Sequence, residues 1–300
     1  VGVGEQQLVH HGLGGELHSN YVLEAGSHSE GEITASWGDI DIDVRTDPVS
    51  GEVIFDGSVG RLSIGDTGEI VSLAGLSFEG DQTPTPYGFA TGDVAFAVDD
   101  LSVNQGTSDA VGIRSMSVDA STTLDDNAVS ADATLTMAMH QIPNVGEMSF
   151  DMDFKLVGAD AEALGRIQQV LESAGASTQD PMAVYGTIED DLKQLFASGF
   201  ELNFERFDVT LPQGTVSSKM LFTFGEEDLA TFDWSALLLS TEASVDLSVP
   251  ATFVETVAQD NPQVAAAIGG GFLVKRGDAY EMQAQLKKGL ATVNGAPIPI

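Results

Sequence analysis

Residues 148–164, with the sequence MSFDMDFKLVGADAEAL, change from a strand pattern to a helix pattern within one short stretch. Up to Phe154, apolar and polar side chains alternate, which predicts a β-strand with one apolar face. After Gly158 the apolar spacing becomes helical from Ala161 onward, and Asp160 stands at the N-cap position. We therefore expect strands before this stretch and a mixture of helices and strands after it.

The region before Gly158 repeats the strand pattern. Ile40, Ile42 and Val44 interleave with Asp residues, which places apolar side chains on one strand face and carboxylates on the other. The same alternation recurs around Leu62, Phe96 and Met137. Turn signals separate these segments, and they are Asp47-Pro48, Asp56-Gly57, Gly65-Asp66, Gly80-Asp81, Thr85-Pro86, Asp99-Asp100, Asp125-Asp126-Asn127 and Pro143-Asn144. No helix pattern intervenes, so residues 1–158 are predicted to form a long antiparallel β-meander.

The region after Gly158, residues 159–300, is predicted to be α+β and to pack on the sheet or continue it. A second helix is expected with Glu189, Asp190 and Asp191 in its first turn, where the helix dipole favours negative charge. The other expected elements are strands over 200–211, 216–224 and 243–249, short helices begun by Pro250 and after Asn261, and a terminal hairpin over 280–293. The terminal hairpin is expected to pack its apolar face on the helices of residues 250–272. The predicted fold is mainly β with an α+β C-terminal part, in which helix pairs and hairpins follow the meander.

Charge is the strongest physical property of the chain. Lys and Arg number 12 against 46 Asp and Glu, which gives a formal net charge of −34. Self-repulsion of this size is relieved by salt, so a saline habitat is the simplest explanation. Nucleic acid and anionic lipid headgroups are disfavoured as partners because both are bound by clustered basic residues. The chain contains 0 Cys, which excludes disulfides, thiolate metal sites and cysteine nucleophiles. No apolar stretch reaches the ~20 residues that span a bilayer.

Candidate metal and catalytic residues were weighed against plainer interpretations. The histidines and acids near the start of the chain are a candidate Zn²⁺ set, although a polar, solvated strand edge explains them as well; they are His10, His11, His18, His28, Glu16, Glu24 and Glu30. Asp39, Asp41 and Asp43 are a candidate Ca²⁺ ladder, but a straight strand does not wrap around an ion, so a solvated acidic face is favoured. Residues 269–271 are three glycines that lack phosphate-loop spacing and are interpreted as a helix end. We predict no catalytic residue, no metal site and no cofactor.

Four short segments resemble the bacterial YdgA-like family, also called DUF945. They are residues 8–13 (LVHHGL), residues 153–164 (DFKLVGADAEAL), residues 208–214 (DVTLPQG) and residues 290–299 (LATVNGAPIP). The segments follow the family order, and the last is the most specific. Leu13 stands where the family usually has proline. The resemblance implies a periplasm-facing protein of a Gram-negative bacterium, held in the inner membrane by an anchor upstream of this chain.

Three functional hypotheses follow, and only the third is catalytic. The first is a non-enzymatic cell-envelope protein whose long sheet curves around its apolar face to bind lipid or another hydrophobic ligand, as AsmA-like envelope proteins do at the level of fold. Its candidate lining residues are Ile40, Ile42, Val44, Phe96, Met137, Met139, Phe150 and Phe154. A closed core would use the same residues. The second is a structural protein that forms homo-oligomers or docks to an envelope protein through strand edges such as Asp39 to Asp43. The third is a carboxylate- or metal-dependent hydrolase.

Overall fold

The computed structural model describes residues 5–11, 15–66, 68–104, 111–142, 145–175 and 181–299. These residues form a mainly β structure in which strand pairings build one large antiparallel sheet. Helices occur after residue 160, so the predicted fold class is confirmed. The predicted turn at Pro143-Asn144 and the end of the first family-like segment, Gly12 and Leu13, lie outside the described residues.

The first half of the chain is built of strands joined by short turns. In chain order they are β1 (Glu5–His11), β2 (Leu17–Leu23), β3 (Gly26–Glu30), β4 (Ile33–Trp37), β5 (Ile40–Thr46), β6 (Val53–Gly65), β7 (Ile70–Pro84), β8 (Ala90–Val98), β9 (Asp100–Asn104), β10 (Val111–Asp125), β11 (Ala128–Ile142) and β12 (Gly146–Asp160). Every pairing whose register is defined among them is antiparallel, as a meander requires.

Helices and strands mix in the second half. The helices are α1 (Ala161–Gly175), α2 (Pro181–Ala197), α3 (Trp234–Ser240), α4 (Ala251–Asp260) and α5 (Pro262–Gly269), with a 3₁₀ turn at Leu229–Thr231. The strands are β13 (Phe200–Leu211), β14 (Gly214–Phe224), β15 (Thr241–Pro250), β16 (Val274–Arg276), β17 (Ala279–Lys287), β18 (Leu290–Val293) and β19 (Ala296–Ile298). Asp160 caps α1 by accepting a hydrogen bond of 2.8 Å from the backbone N–H of Ala163, as its sequence position predicts.

Contacts divide the chain into two compact units. Unit 1 comprises Val1–Pro84, Ala90–Ser121 and Ala133–Asp151, and unit 2 comprises Thr85–Phe89, Thr122–Asp132 and Met152–Ile300. The described residues of unit 1 form strands and turns without a helix, whereas all the helices named above belong to unit 2. The sequence-based division into regions 1–158 and 159–300 stays a prediction.

Two predicted turns are wrong because their glycines lie inside long strands. Gly57 belongs to β6, and a Cβ atom there would stand 2.5 Å from Cζ of Phe78 on β7. Gly80 belongs to β7, and a Cβ there would stand 2.6 Å from Cζ of Phe55 on β6. Each glycine therefore makes room for an aromatic ring of the neighbouring strand and does not reverse the chain.

Two further expectations also need correction. The second helix, α2, begins at Pro181, so Glu189, Asp190 and Asp191 lie in its middle and not in its first turn. Glu189 and Asp190 instead pair with Lys193 at 3.0 and 3.2 Å. The expected turn at Asp99-Asp100 is also wrong, because β8 and β9 run in the same direction along β7 on either side of Asp99.

Helices supply the second layer of unit 2. Phe196 of α2 lies 5.4 Å from Phe200 and 4.9 Å from Phe224 between ring centroids, and 5.6 Å from Trp234 of α3. Phe200 is only 8% exposed. The strands of unit 2 are thus anchored to helices by packed aromatic rings.

The terminal hairpin packs as predicted. Tyr280 of β17 forms a buried cluster with Ala251 and Val254 of α4. β17 lies between β15 and β18, so it is an internal strand of the sheet. The proline-bearing tail, for which no element was expected, adds β19 beside β18.

Candidate functional site

Apolar side chains of unit 1 lie on a common sheet face, defined here as the inner face. Ile42 stands opposite Gly57, Gly57 opposite Phe78, and Phe78 opposite Phe96. Residues directly opposite in antiparallel strands share a face, so this row crosses β5, β6, β7 and β8. A second row beside it, on the same face, begins with Val44 and continues through Phe55, Gly80 and Val94.

The predicted methionines belong to the same face. The hydroxyls of Ser117 on β10 and Thr136 on β11 are 2.7 Å apart, so these two residues share a face. Ser117 and Asp119 alternate with Met116 and Val118 along β10, and they border a groove with Ser58 and Ser77 of the polar side, which Phe78 and Phe96 border as well. Alternation therefore turns Met137, and with it Met139, toward the inner face.

The two predicted phenylalanines of β12 also point away from the polar side. Lys155 on β12 pairs with Asp132 on β11 at 3.8 Å. Asp132 and Thr136 are four residues apart on β11, so both side chains lie on its polar face. Phe150 and Phe154 alternate with these polar positions. Phe150 belongs to unit 1, whereas Phe154 belongs to unit 2 and packs on Phe204 with ring centroids 5.1 Å apart.

All eight predicted lining residues are half-buried, and none is in the buried core. A sheet with one apolar face normally buries it against a second layer. Unit 1 has no helix among its described residues, so it provides no helical layer of its own. The inner face is therefore apolar, built largely of aliphatic and aromatic side chains with adaptable methionines, and only partly covered.

A line of irregular residues crosses the sheet of unit 1 from strand to strand. It is defined by Asp39, Gly60, Gly75, Asp99 and Ser115, and we call it the bulge line. The backbone N–H of Gly60 donates to the carbonyl of Asp39 at 3.0 Å, that of Asp99 to Gly75 at 3.3 Å, and that of Ser115 to Asp99 at 2.9 Å. Regular pairing resumes in the same register on both sides of the line.

The bulge line explains why the alternation shifts within each strand. In β7 the apolar positions are Leu76 and Phe78 on one side of Gly75, and Val71 and Leu73 on the other. An extra residue in a strand shifts the alternation by one, so apolar side chains stay on one face along the whole strand. Gly75 has φ +61° and a Cβ there would stand 2.0 Å from Oδ2 of Asp99, so the line requires glycine at this position.

The opposite, polar face of unit 1 is acidic. Asp43 stands opposite Asp56, and Asp56 opposite Glu79, which gives a row of carboxylates across three strands. Asp41, Asp56, Glu79 and Asp119 line a groove of about 490 Å³ on this face together with serines. Directly opposed like charges repel, and Asp56 and Glu79 are exposed to solvent.

The acidic ladder and the histidines do not assemble a metal site in the described part of the chain. Asp41 accepts a hydrogen bond of 3.0 Å from Asn20, and Asp39 one of 2.9 Å from the backbone of Ala25. Asp43 contacts His18 and Arg45, and the contact with His18 is the largest cause that lowers the pKa of Asp43. β5 pairs with both β2 and β6, so the prediction that Asp39 to Asp43 form a sheet edge is wrong.

The early histidines occupy a hairpin. β1 pairs with β2 so that His10 stands opposite His18 and His11 opposite Leu17, whereas His28 lies on β3, where it is exposed. The side chains of His10 and His11 lie outside the described residues, so the zinc interpretation stays a prediction for them.

Unit 2 carries its own polar groove of about 810 Å³, lined by β13, β14, β15 and β17. Arg206 pairs with Asp153 at 3.1 Å, and Lys155 pairs with Glu205 at 3.0 Å, which raises the pKa of Lys155. These opposite charges neutralise each other across neighbouring strands. The groove is thus a polar sheet face on which Arg206 is paired with Asp153.

Comparison with known proteins identifies the family. The sequence profile described as "Bacterial protein of unknown function (DUF945)" matches residues 7–300. The chain belongs to the DUF945 family. No curated protein and no solved structure gave a significant match. The family resemblance of the four sequence segments is thus confirmed for this DUF945 chain.

In the described residues of the chain, no helix has the length and apolar character to cross a membrane.

Several residues of the inner face were not among the predicted lining residues. Phe55, Phe78 and Val94 complete the apolar rows across β6, β7 and β8. Phe55 and Phe78 are not among the predicted lining residues because the nearby Gly57 and Gly80 indicate turns in the sequence. Phe55 lies two residues from Gly57, and Phe78 two residues from Gly80, so each pair shares one strand face. This spacing was the sequence signal that could have identified the two aromatic residues.

Proposed function

We propose that this DUF945 protein is a non-enzymatic protein of the bacterial cell envelope that binds a lipid or another hydrophobic ligand on the inner face of unit 1. The observation that supports this most is the half-buried apolar row of Ile42, Phe78 and Phe96 in a unit whose described residues include no helix. Burying apolar surface contributes about 25 cal/mol per Å², so a hydrocarbon chain that covers this row gains a substantial free energy.

The negative charge of the protein limits which headgroup the ligand can carry. The net charge of −34 and the carboxylate row of Asp43, Asp56 and Glu79 disfavour an anionic headgroup. A neutral or zwitterionic amphiphile meets no such repulsion. The envelope location and the saline habitat are part of the same proposal; the first rests on the family resemblance and the second on the acidity.

Organic extraction of the purified protein, followed by mass spectrometry, tests whether a ligand is bound. We expect an apolar molecule near one equivalent per chain. After extraction, the refolded protein should bind the neutral dye Nile red, and long-chain alcohols should displace it. A preparation that contains no lipid and does not bind the dye contradicts the proposal.

Matched variants locate the site. Phe96→Gln and Met137→Gln place polar amides on the inner face and should weaken dye binding. Ala97→Gln changes the same strand, but Ala97 stands opposite Ser77 of the polar side, so it should leave dye binding unchanged. Equal loss in all three variants would show that binding does not depend on the inner face.

A further inference from the structure

A second apolar surface lies on the far side of the bulge line, where β4, β6, β7, β9 and β10 pair. One row runs from Trp37 through Leu62, Leu73 and Leu101 to Ile113. The next row runs from Ala35 through Ile64, Val71 and Val103 to Val111. We call these two rows the outer patch.

The outer patch is more exposed than the inner face. Ile64 is 55% exposed, Leu62 39% and Val71 38%, whereas every predicted lining residue of the inner face is half-buried. Single exposed apolar residues are ordinary, but two adjoining rows across several strands form a contiguous patch. β-branched side chains are stiff at χ1, so Ile64 and Val71 give the patch a fixed shape.

The reverse side of the same strands carries polar side chains. The hydroxyls of Ser36 and Ser63 are 2.7 Å apart, and those of Ser72 and Ser102 are 2.9 Å apart. These serines stand opposite one another from β4 to β9, so one row of hydroxyls crosses the reverse side, where Ile70 in the next row is 44% exposed. The sheet therefore has a polar face and an apolar face here, and its apolar face is the one left exposed.

Size limits what can cover the outer patch. With strands ~4.8 Å apart and residues ~3.3 Å apart, two rows on five strands cover roughly 20 Å by 10 Å. Stable dimers bury about 800 Å² per partner, several times this area. Two copies would also bring together two chains of charge −34 each. A single short segment of another protein fits the area, whereas a second copy of this chain does not.

Charge selects the chemistry of that segment. Glu30 stands opposite Ile33 at the distal end of the patch, and the β6–β7 turn places exposed Asp66 and Glu69 at the same end. The described strands carry Arg61 and Arg114 in this region, and both alternate with the apolar positions, so they belong to the serine side. The outer patch thus has an acidic rim, and its described positions include no Lys or Arg.

We propose that the outer patch is a docking surface for an amphipathic segment of a partner protein whose apolar side chains are flanked by Lys or Arg. The apolar rows supply the contact area, and Glu30 and Glu69 pair with the basic flanks. The outer patch lies on the same face of the sheet as the inner-face rows, on the other side of the bulge line.

A synthetic 14-residue amphipathic peptide of Leu and Lys, measured by fluorescence anisotropy in about 0.3 M NaCl, is the probe. Salt at this concentration weakens binding that depends on net charge alone. Ile64→Thr combined with Val71→Thr should weaken peptide binding by about tenfold, because the centre of an interface dominates affinity. Ile64→Thr alone should weaken it less, and melting curves check that both variants fold.

Matched controls separate this surface from general attraction. Val49→Thr combined with Val157→Thr removes exposed apolar groups elsewhere, 94% and 48% exposed, and should leave binding unchanged. Glu30→Gln combined with Glu69→Gln should weaken binding a few-fold and flatten its salt dependence. A matched Leu and Glu peptide should not bind.

Other outcomes overturn the proposal. If Ile64→Thr with Val71→Thr binds the peptide as tightly as Val49→Thr with Val157→Thr, peptide binding is only electrostatic. Tighter binding to phosphatidylcholine vesicles than to the peptide, abolished by Ile64→Thr with Val71→Thr, assigns the patch to a lipid surface. Phe96→Gln should retain peptide binding and Ile64→Thr should retain Nile red binding, so failure of either site is distinguishable from failure of the other.

Discussion

Unit 1 and unit 2 use the same antiparallel strands but cover them differently. In unit 2, Phe196 and Trp234 bring helices onto the strands, and Phe200 is 8% exposed. In unit 1, Phe96 and Met137 are half-buried, and the described residues of this unit include no helix. Unit 2 thus covers its apolar strand face with its own helices, while the apolar rows of unit 1 stay half-buried.

The largest effect should come from deleting residues 279–300. The deletion removes β17, which lies between β15 and β18, and exposes Ala251 and Val254 of α4. Several side chains, each contributing about 1.5–3 kcal/mol, would lose their burial. We expect insoluble protein, judged by the soluble fraction on expression and by size-exclusion chromatography.

The control for this deletion is Lys287→Gln with Lys288→Gln. Lys287 pairs with Glu242 at 3.0 Å but is 66% exposed, so its loss should hardly change the melting temperature. A truncated chain that melts like the full chain would mean that unit 2 is not held together by its terminal hairpin.

The next effect compares equivalent aromatic residues in the two units. Phe200→Ala removes a buried ring from the helix-covered sheet and should cost about 3–5 kcal/mol. Phe96→Ala removes a half-buried ring from unit 1 and should cost clearly less in protein without ligand. Urea unfolding measures both, and equal costs would show that the inner face is as well packed as the core of unit 2.

A smaller effect should arise at the bulge line. In Gly75→Ala the new Cβ would stand 2.0 Å from Asp99, and the residue has φ +61°, so both crowding and backbone strain oppose it. Gly158→Ala is the control, because Gly158 has φ +78° but no neighbouring atom within 4 Å. We expect Gly75→Ala to cost about 1–3 kcal/mol more than the control. Equal losses of stability in urea unfolding would mean that the line tolerates a side chain.

Much of the fold could be predicted from the sequence because its local patterns agree with its long-range structure. The alternation at Ile40, Ile42 and Val44 and the capping Asp160 both correspond to observed elements. The bulge line could not be predicted, because its residues lie far apart in the chain and only strand register brings them together. The start of α2 was misplaced for a related reason: Asp191 binds Arg166 of α1, a contact that outweighs the preference of acids for a first turn.

The candidate site was predictable in composition but not in extent. Alternation predicts one apolar face for Phe96 and Met137, whereas exposure depends on which other elements cover that face. A helix-covered sheet and a bare one have the same strand pattern, so the outer patch at Ile64 and Val71 became evident only from the burial of each residue.

Salt should affect unit 1 more than unit 2. The Lys and Arg residues of unit 1 are Arg45, Arg61 and Arg114, whereas unit 2 holds ion pairs such as that of Arg166 with Asp191. Screening of carboxylate repulsion should raise the melting temperature by several degrees between low salt and about 1 M NaCl. Hydrogen exchange at both salt concentrations should show the larger gain of protection in β5, β6 and β7. A flat or falling melting temperature would contradict the proposed role of repulsion.

The smallest effect concerns two carboxylates that stand opposite each other in unit 1, Asp43 and Asp56. Because His18, and to a smaller extent Arg45, lower the pKa of Asp43 in the folded state, its ionised form stabilises the fold above the unfolded pKa of about 3.9. That stabilisation is lost as the pH falls through the lowered folded pKa. Asp43→Asn should therefore cost less than about 1 kcal/mol at pH 7, and the difference from the unsubstituted protein should shrink as the pH falls through the lowered folded pKa of Asp43.

Asp56→Asn should act in the opposite direction, because it removes a like charge that faces both Asp43 and Glu79. We expect a gain in stability of a few tenths of a kcal/mol at low salt, and none at about 1 M NaCl. Urea unfolding across pH and salt measures both variants in one set of experiments. If Asp56→Asn destabilises the protein as Asp43→Asn does, the carboxylate row is held by favourable contacts, and the acidity of unit 1 stabilises its sheet instead of straining it.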